Sequence, residues 1–249
     1  MKSLILKKSF AVAFALAAVY IILSALGVAG ISAASGVFYR MFVIANLLYS
    51  AVLVFTHAIS LGDRDALFTG ALGLGTLAVN EVYSFAYIYI LHGSPIDITV
   101  GNYSRNCAAL FFIVAVLFLV LPPMKLEKAL RVVVSVFSSA AAMLIIFAII
   151  VGNSDMLYYS ALTIVCLCVL LSVYLLCQSF KIKQLGTAKA FSCSIIALSI
   201  LDTVNRILII FRPGLYLSDI IHSLYPLVYL WIGFGLINLR KGEGGDGCG

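Results

Sequence analysis

LDTVNRILII, residues 201–210, sets Asp202, Asn205 and Arg206 into a run that otherwise has the composition of a membrane-spanning helix. Spacings of three and four residues put the three on one helical face. A charge at that depth is costly, so this face is expected to look toward other helices or water, not lipid. A second apolar run carries Asn80 and Glu81 and offers a partner. The remainder of the chain is expected to be a helical container around these two polar faces.

Composition agrees. Of 249 residues, 63% are hydrophobic and 10% charged, and the mean hydropathy is +1.15. A soluble domain averages about 25% charged residues, so this chain has too little polar surface to cover itself in water. The expected class is all-α: a polytopic transmembrane helical bundle whose first partner is the lipid bilayer. Continuous apolar runs argue against a transmembrane barrel, whose strands alternate.

Eight spans are expected, near 10–32, 38–61, 67–91, 100–121, 130–151, 156–177, 191–211 and 217–239. Polar or proline- and glycine-bearing breaks separate them: 62–65, 91–101, Pro122-Pro123, 152–155, 181–189 and Arg212-Pro213-Gly214. Residues 1–239 form one transmembrane domain, followed by a short, disordered, glycine-rich cytoplasmic tail at 240–249. The first run resembles a signal peptide, but its length exceeds an h-region of about 7–15 residues, so it is expected to be a retained helix.

Loop charges set the orientation. Twelve of the sixteen Lys and Arg residues fall on one side: Lys2, Lys7, Lys8, Arg64, Lys125, Lys128, Arg131, Lys181, Lys183, Lys189, Arg240 and Lys241. Arg40, Arg105 and Arg212 fall on the other, and Arg206 lies within the membrane. The positive-inside rule then makes both termini cytoplasmic and the protein a multi-pass component of the cell membrane. The net charge of +6 is a product of this topology. No basic cluster interleaved with aromatics points to nucleic acid.

The halves 10–121 and 130–239 look alike. Span three carries Asn80-Glu81 and span seven carries Asp202, Asn205 and Arg206. Each is followed by a Pro/Gly turn, an aspartate (Asp97 or Asp219) and a span with polar first turns. This pattern suggests a 4+4 parallel repeat, an arrangement found in transporters.

The candidate ligand-binding cluster comprises Asn80, Glu81, Ser84, Arg105, Asp202, Asn205, Arg206, Asp219 and His222. Arg105 is expected to reach down to Glu81, and the charged members are Glu81, Asp202, Arg206 and Arg105. One reading is a polar cavity open to the outer face. The other is a buried ionic brace that locks helices together. Most tyrosines, among them Tyr39, Tyr83, Tyr87, Tyr225 and Tyr229, fall toward the outer half, which suits interfacial anchoring; lining an outer cavity is the sharper alternative. Asp219, His222 and Ser223 have the composition of a hydrolase triad, but adjacent side chains on a helix diverge by about 100°. Three histidines without a second at helical spacing, and cysteines without a C-x-x-C, give no metal site, and no cofactor is expected. Gly70, Gly73, Gly75, Gly233 and Gly235 are expected to let helices approach closely, and Pro226 to kink the last span.

The expected function is binding, sensing or transport of a small solute or lipid-like ligand. Alternatives are an intramembrane enzyme of the lipid-hydrolase kind and an assembly subunit whose polar face is met by a membrane-protein partner.

Overall fold

Leucine-, alanine- and valine-rich runs of twenty or more residues have one way to satisfy their backbone without water, which is the α-helix. The computed structural model describes residues 2–25, 37–61, 65–92, 99–120, 154–181, 183–211 and 215–239. They form seven α-helices: α1 (Lys2–Ala25), α2 (Val37–Leu61), α3 (Asp65–Tyr89), α4 (Thr99–Val120), α5 (Ser154–Lys181), α6 (Lys189–Phe211) and α7 (Leu215–Ile237). No strand occurs among the described residues. The expected span at 130–151, the turn residues 93–98, 122–123 and 212–214, and the tail 240–249 lie outside them.

Six helix starts and ends agree with the expected spans to within a few residues. The first helix departs from expectation, starting at Lys2 instead of residue 10. Its extra turns, with Leu4, Leu6, Lys7 and Lys8, are built from good helix formers. The 181–189 break, expected as a plain linker, contains the 3₁₀ turn Lys183–Ala188, a common connector at helix ends. Asp65 in the first turn of α3 and Lys181 in the last turn of α5 complement the helix dipole.

Helices α2, α3, α4, α5, α6 and α7 each pack on the next, and α7 packs back on α2, closing a ring. The α1 helix lies against α7. Leu74, Leu77, Phe112, Phe191, Ile195, Tyr229 and Leu230 are among the fully or nearly fully buried side chains of the core. Serine and threonine hydroxyls within the helices mostly return to their own helix: Ser194 donates to the Phe191 carbonyl at 2.7 Å and Ser199 to that of Ile195 at 3.0 Å. This local bond removes the need for a distant partner.

Many large apolar side chains are exposed among the described residues. On α1 the exposed residues Val12, Leu16, Val19 and Ile22 follow helical spacing, as do Met41, Leu48, Val52, Phe55 and Ile59 on α2. Helices apolar on every side belong in a large protein core or in lipid, and an exposed belt of this kind is poorly suited to water. Val37–Ile59 and Gly186–Val204 are long and apolar enough to cross a membrane by length and composition. Lys8–Leu23, Cys107–Leu119, Cys166–Lys181 and His222–Ile237 are shorter apolar stretches. In α3 the apolar run is interrupted by Asn80 and Glu81.

Two glycines show how close the helices come. A Cβ on Gly235 would lie 2.6 Å from the Phe191 backbone nitrogen, and one on Gly73 would lie 2.7 Å from the Phe112 ring. Gly75, expected to serve the same purpose, has nothing within 4 Å of its Cβ position; the helical phase turns it away from α4. Pro226 is accommodated inside α7, which runs unbroken from Leu215 to Ile237. Gly235→Ala, facing backbone that cannot rotate away, is expected to lower the unfolding midpoint in detergent. Gly75→Ala is expected to be neutral or stabilising by about 0.5–1 kcal/mol. Equal destabilisation by both would contradict this packing.

Candidate functional site

The polar site grows from Glu81, in the last third of α3. Helical phase turns its side chain inward with Asn80 and Ser84, and all three residues are buried. A lone carboxylate there would carry a large desolvation cost. Two cations meet it. Arg40, in the first turn of α2, donates from Nη1 to Glu81 Oε2 at 3.2 Å. Arg105, in the second turn of α4, places Nη2 3.7 Å from Oε1. The exposures order the pair strengths: the Glu81 side chain is 8% exposed, Arg40 17% and Arg105 34%. The Arg40 contact is short and sheltered, whereas the Arg105 contact is beyond hydrogen-bond length and partly open.

Asp202 on α6 is the second acid. The Tyr225 hydroxyl on α7 donates to its Oδ1 at 2.7 Å. Arg105 lies within electrostatic reach of both Asp202 and Glu81. The charged group among the described residues is thus Arg40, Arg105, Glu81 and Asp202, neutral in sum. It joins α2, α3, α4 and α6, with Tyr225 adding α7.

Next to Arg105 and Asp202 is a cavity of about 40 Å³. Leu77, Ala108, Ala109, Phe112, Cys168, Ile195, Leu198, Ser199 and Tyr229 complete its lining, so five helices contribute. Its lining is mostly apolar, with one cation, Arg105, and one acid, Asp202. A chain of rings leads from the same region: Tyr39 to His222 at 6.0 Å, His222 to Tyr225 at 5.9 Å and Tyr225 to Tyr229 at 5.8 Å between centroids.

Of the sequence candidates, Glu81, Arg105 and Asp202 come together around Arg105, with Asn80 and Ser84 buried on the same helix as Glu81. Asn80 Oδ1 has no hydrogen-bond partner among the described residues. His222 packs in the ring chain between Tyr39 and Tyr225, and Ser223 beside it is buried. The side chains of Asn205, Arg206 and Asp219 lie outside the described residues. Tyr39, Tyr225 and Tyr229 are buried core residues, so an interfacial role does not describe them. Among the described residues no three His, Cys, Asp or Glu gather as a metal ion would require.

Arg40 is the residue that sequence reading missed, having assigned it to the loop side of span two. Its signal was available. On antiparallel neighbours joined through residues 62–64, Arg40 and Glu81 lie within about five residues of one level, roughly 8 Å of helix rise. An arginine side chain spans that gap.

No protein-family model matches the chain, and no curated protein or solved structure shows significant similarity to it. Function is therefore argued from the residues themselves.

Glu81→Gln strips two guanidinium groups of their carboxylate and is expected to cost about 3 kcal/mol or more of stability. A cycle with Arg40→Met, read from denaturant unfolding in detergent, is expected to give a large coupling energy. Strict additivity would reduce the pair to a surface contact worth about 0–1 kcal/mol. Tyr225→Phe, which removes a hydrogen bond to a carboxylate, is expected to cost about 1.5–3 kcal/mol.

Proposed function

We propose that this chain is a multi-pass membrane protein that binds a small solute at the Arg105–Asp202 cavity, for transport or for sensing. The chain crosses the cell membrane eight times with both termini in the cytoplasm, and the site opens toward the outer face. The topology draws support from the twelve-to-three split of loop cations, from the two spans of sufficient length and from the apolar outer belt. The cavity size favours a small solute over a whole lipid, because drug-sized ligands occupy about 300–1,000 Å³.

The observation that carries the reading is the state of Arg105. A structural brace holds its charges in short, fully used contacts. The Arg40–Glu81 hydrogen bond of 3.2 Å comes nearer to that description than the Arg105 contact does, although Arg40 Nε is buried without a hydrogen-bond partner among the described residues. Arg105 is one-third exposed, its ion pair is 3.7 Å long, and it lines a cavity that Asp202 also lines. Ionisable groups at membrane depth mark ligand or ion pathways by default.

A 4+4 parallel repeat is part of the same proposal. In each half an acid on one helix is engaged by a polar side chain on the next. Asp202 takes the Tyr225 hydroxyl 23 positions later, and Glu81 takes Arg105 at a spacing one residue longer. Two related halves meeting at a shared site is the plan of many transporters.

Arg105→Gln is the direct test. Because its ion pair is the longer one, the variant is expected to fold, with an unfolding midpoint lowered by the loss of a cation beside Glu81 and Asp202 but less than in Glu81→Gln. It is expected to lose at least tenfold in affinity for any small solute that stabilises the parent protein in a thermal-shift panel. An unchanged response with an unchanged fold would defeat the binding reading. Collapse of the fold or of a complex without any solute response in the parent would favour an assembly subunit, and loss of turnover on a lipid ester would favour an enzyme.

A further inference from the structure

We infer that the solute held between Arg105 and Asp202 is a small primary amide, taken by its carbonyl oxygen on Arg105 and by its amino group on Asp202. The inference rests on the binding reading above and names the chemical class that the same site accepts.

The two polar groups of the cavity do not satisfy each other. Arg105 and Asp202 both line it, yet no ion pair within 4.0 Å joins them. Among the described residues Arg105 makes one charged contact, the 3.7 Å ion pair to Glu81, and no hydrogen bond. Its guanidinium is a planar fork of donors with no acceptor. Asp202 accepts the Tyr225 hydroxyl on Oδ1 at 2.7 Å and, among the described residues, has no hydrogen bond on Oδ2. One cavity therefore holds unused donors and an unused acceptor on separate side chains.

That pairing selects the polar pattern of the solute. A monoanion placed on Arg105 also meets the Asp202 carboxylate, and a monocation placed on Asp202 also meets the Arg105 guanidinium. Like charges at short range repel strongly where water is scarce. A primary amide carries both complements on one planar group: an oxygen with two acceptor sites and an NH2 with two donors. It is neutral, so it leaves the charge of the surrounding network unchanged, whatever the other members of that network contribute.

Size and the apolar lining narrow the class. The cavity is about 40 Å³, and a water needs at least about 10–15 Å³ on this measure, so roughly three or four non-hydrogen atoms fit. Formamide and acetamide are of that size, and the smallest amino acid zwitterion is already larger. Leu77, Phe112 and Ala109 supply apolar wall for the remainder of the molecule. A methyl group is at home against them, whereas a further polar group would be desolvated there without a partner.

The test is calorimetric titration of acetamide, acetate, acetamidinium and acetone into the full chain in nanodiscs. These isosteres differ in their polar groups and hardly in size. Acetamide is expected to bind at one site per chain, about tenfold or more tightly than each of the others. Asp202→Leu removes the acceptor, and acetamide is expected to fall to the affinity of acetone. Ala109→Leu fills the cavity from its apolar side and keeps every charged group, so it tests the site even if Asp202→Leu does not fold. It is expected to abolish acetamide binding. Acetate, acetamidinium or acetone binding as tightly as acetamide overturns the inference and leaves the solute-binding reading standing. So does an acetamide preference that survives Asp202→Leu. Acetamide binding unchanged in Ala109→Leu puts the site elsewhere, and both fall. If none of the four binds, the inference falls, and the thermal-shift panel decides the solute-binding reading by itself.

Discussion

The carboxylate of Glu81 is shared by two arginines from the helices on either side of it, and this is the constraint on which the polar interior depends. In an apolar ring of helices, an acid at that position has no solvent to fall back on. It must find cations, and finding them fixes the register of α2 and α4 against α3. Van der Waals packing of small residues, as where Gly73 meets Phe112 and Gly235 meets the start of α6, brings the helices together. Packing alone tolerates small slides along the helix axes. The ion pairs do not, since a shift of one turn would separate Arg40 from Glu81 by several ångströms.

The two arginines divide the work between them. Arg40 is short-bonded and sheltered, so it belongs to the architecture. Arg105 is longer-bonded and more exposed. The same distinction separates the two acids. Glu81 is committed to cations on both oxygens, while Asp202 is held by a tyrosine hydroxyl on one oxygen. One network thus holds a more sheltered pair, Arg40 with Glu81, and a more exposed one, Arg105 with Glu81. The cavity adjoins Arg105 and Asp202.

The aromatic residues follow the same logic. A tyrosine can sit in an apolar core if its hydroxyl finds an acceptor. Tyr225 does so on Asp202, and its ring then joins His222 and Tyr229 into a continuous wall. The hydroxyl bond ties α7 to α6 near the cavity, so the last two helices are coupled to the state of Asp202.

The residue order by itself determined the all-helical class, the approximate ends of six helices and the standing of Glu81, Arg105 and Asp202 as charges set in apolar runs. Those features are local. Hydropathy, turn residues and charges standing in apolar runs need no knowledge of neighbours. Tertiary structure decided the partners. Arg40 looked like a loop charge until α2 packed antiparallel to α3, and Tyr39, Tyr225 and Tyr229 looked interfacial until the ring closed around them. Gly73 and Gly75 are equivalent in sequence, and helical phase alone puts one against Phe112 and the other against open space. The direction in which a helix faces depends on which helices surround it, and that is settled by packing between segments far apart in the chain.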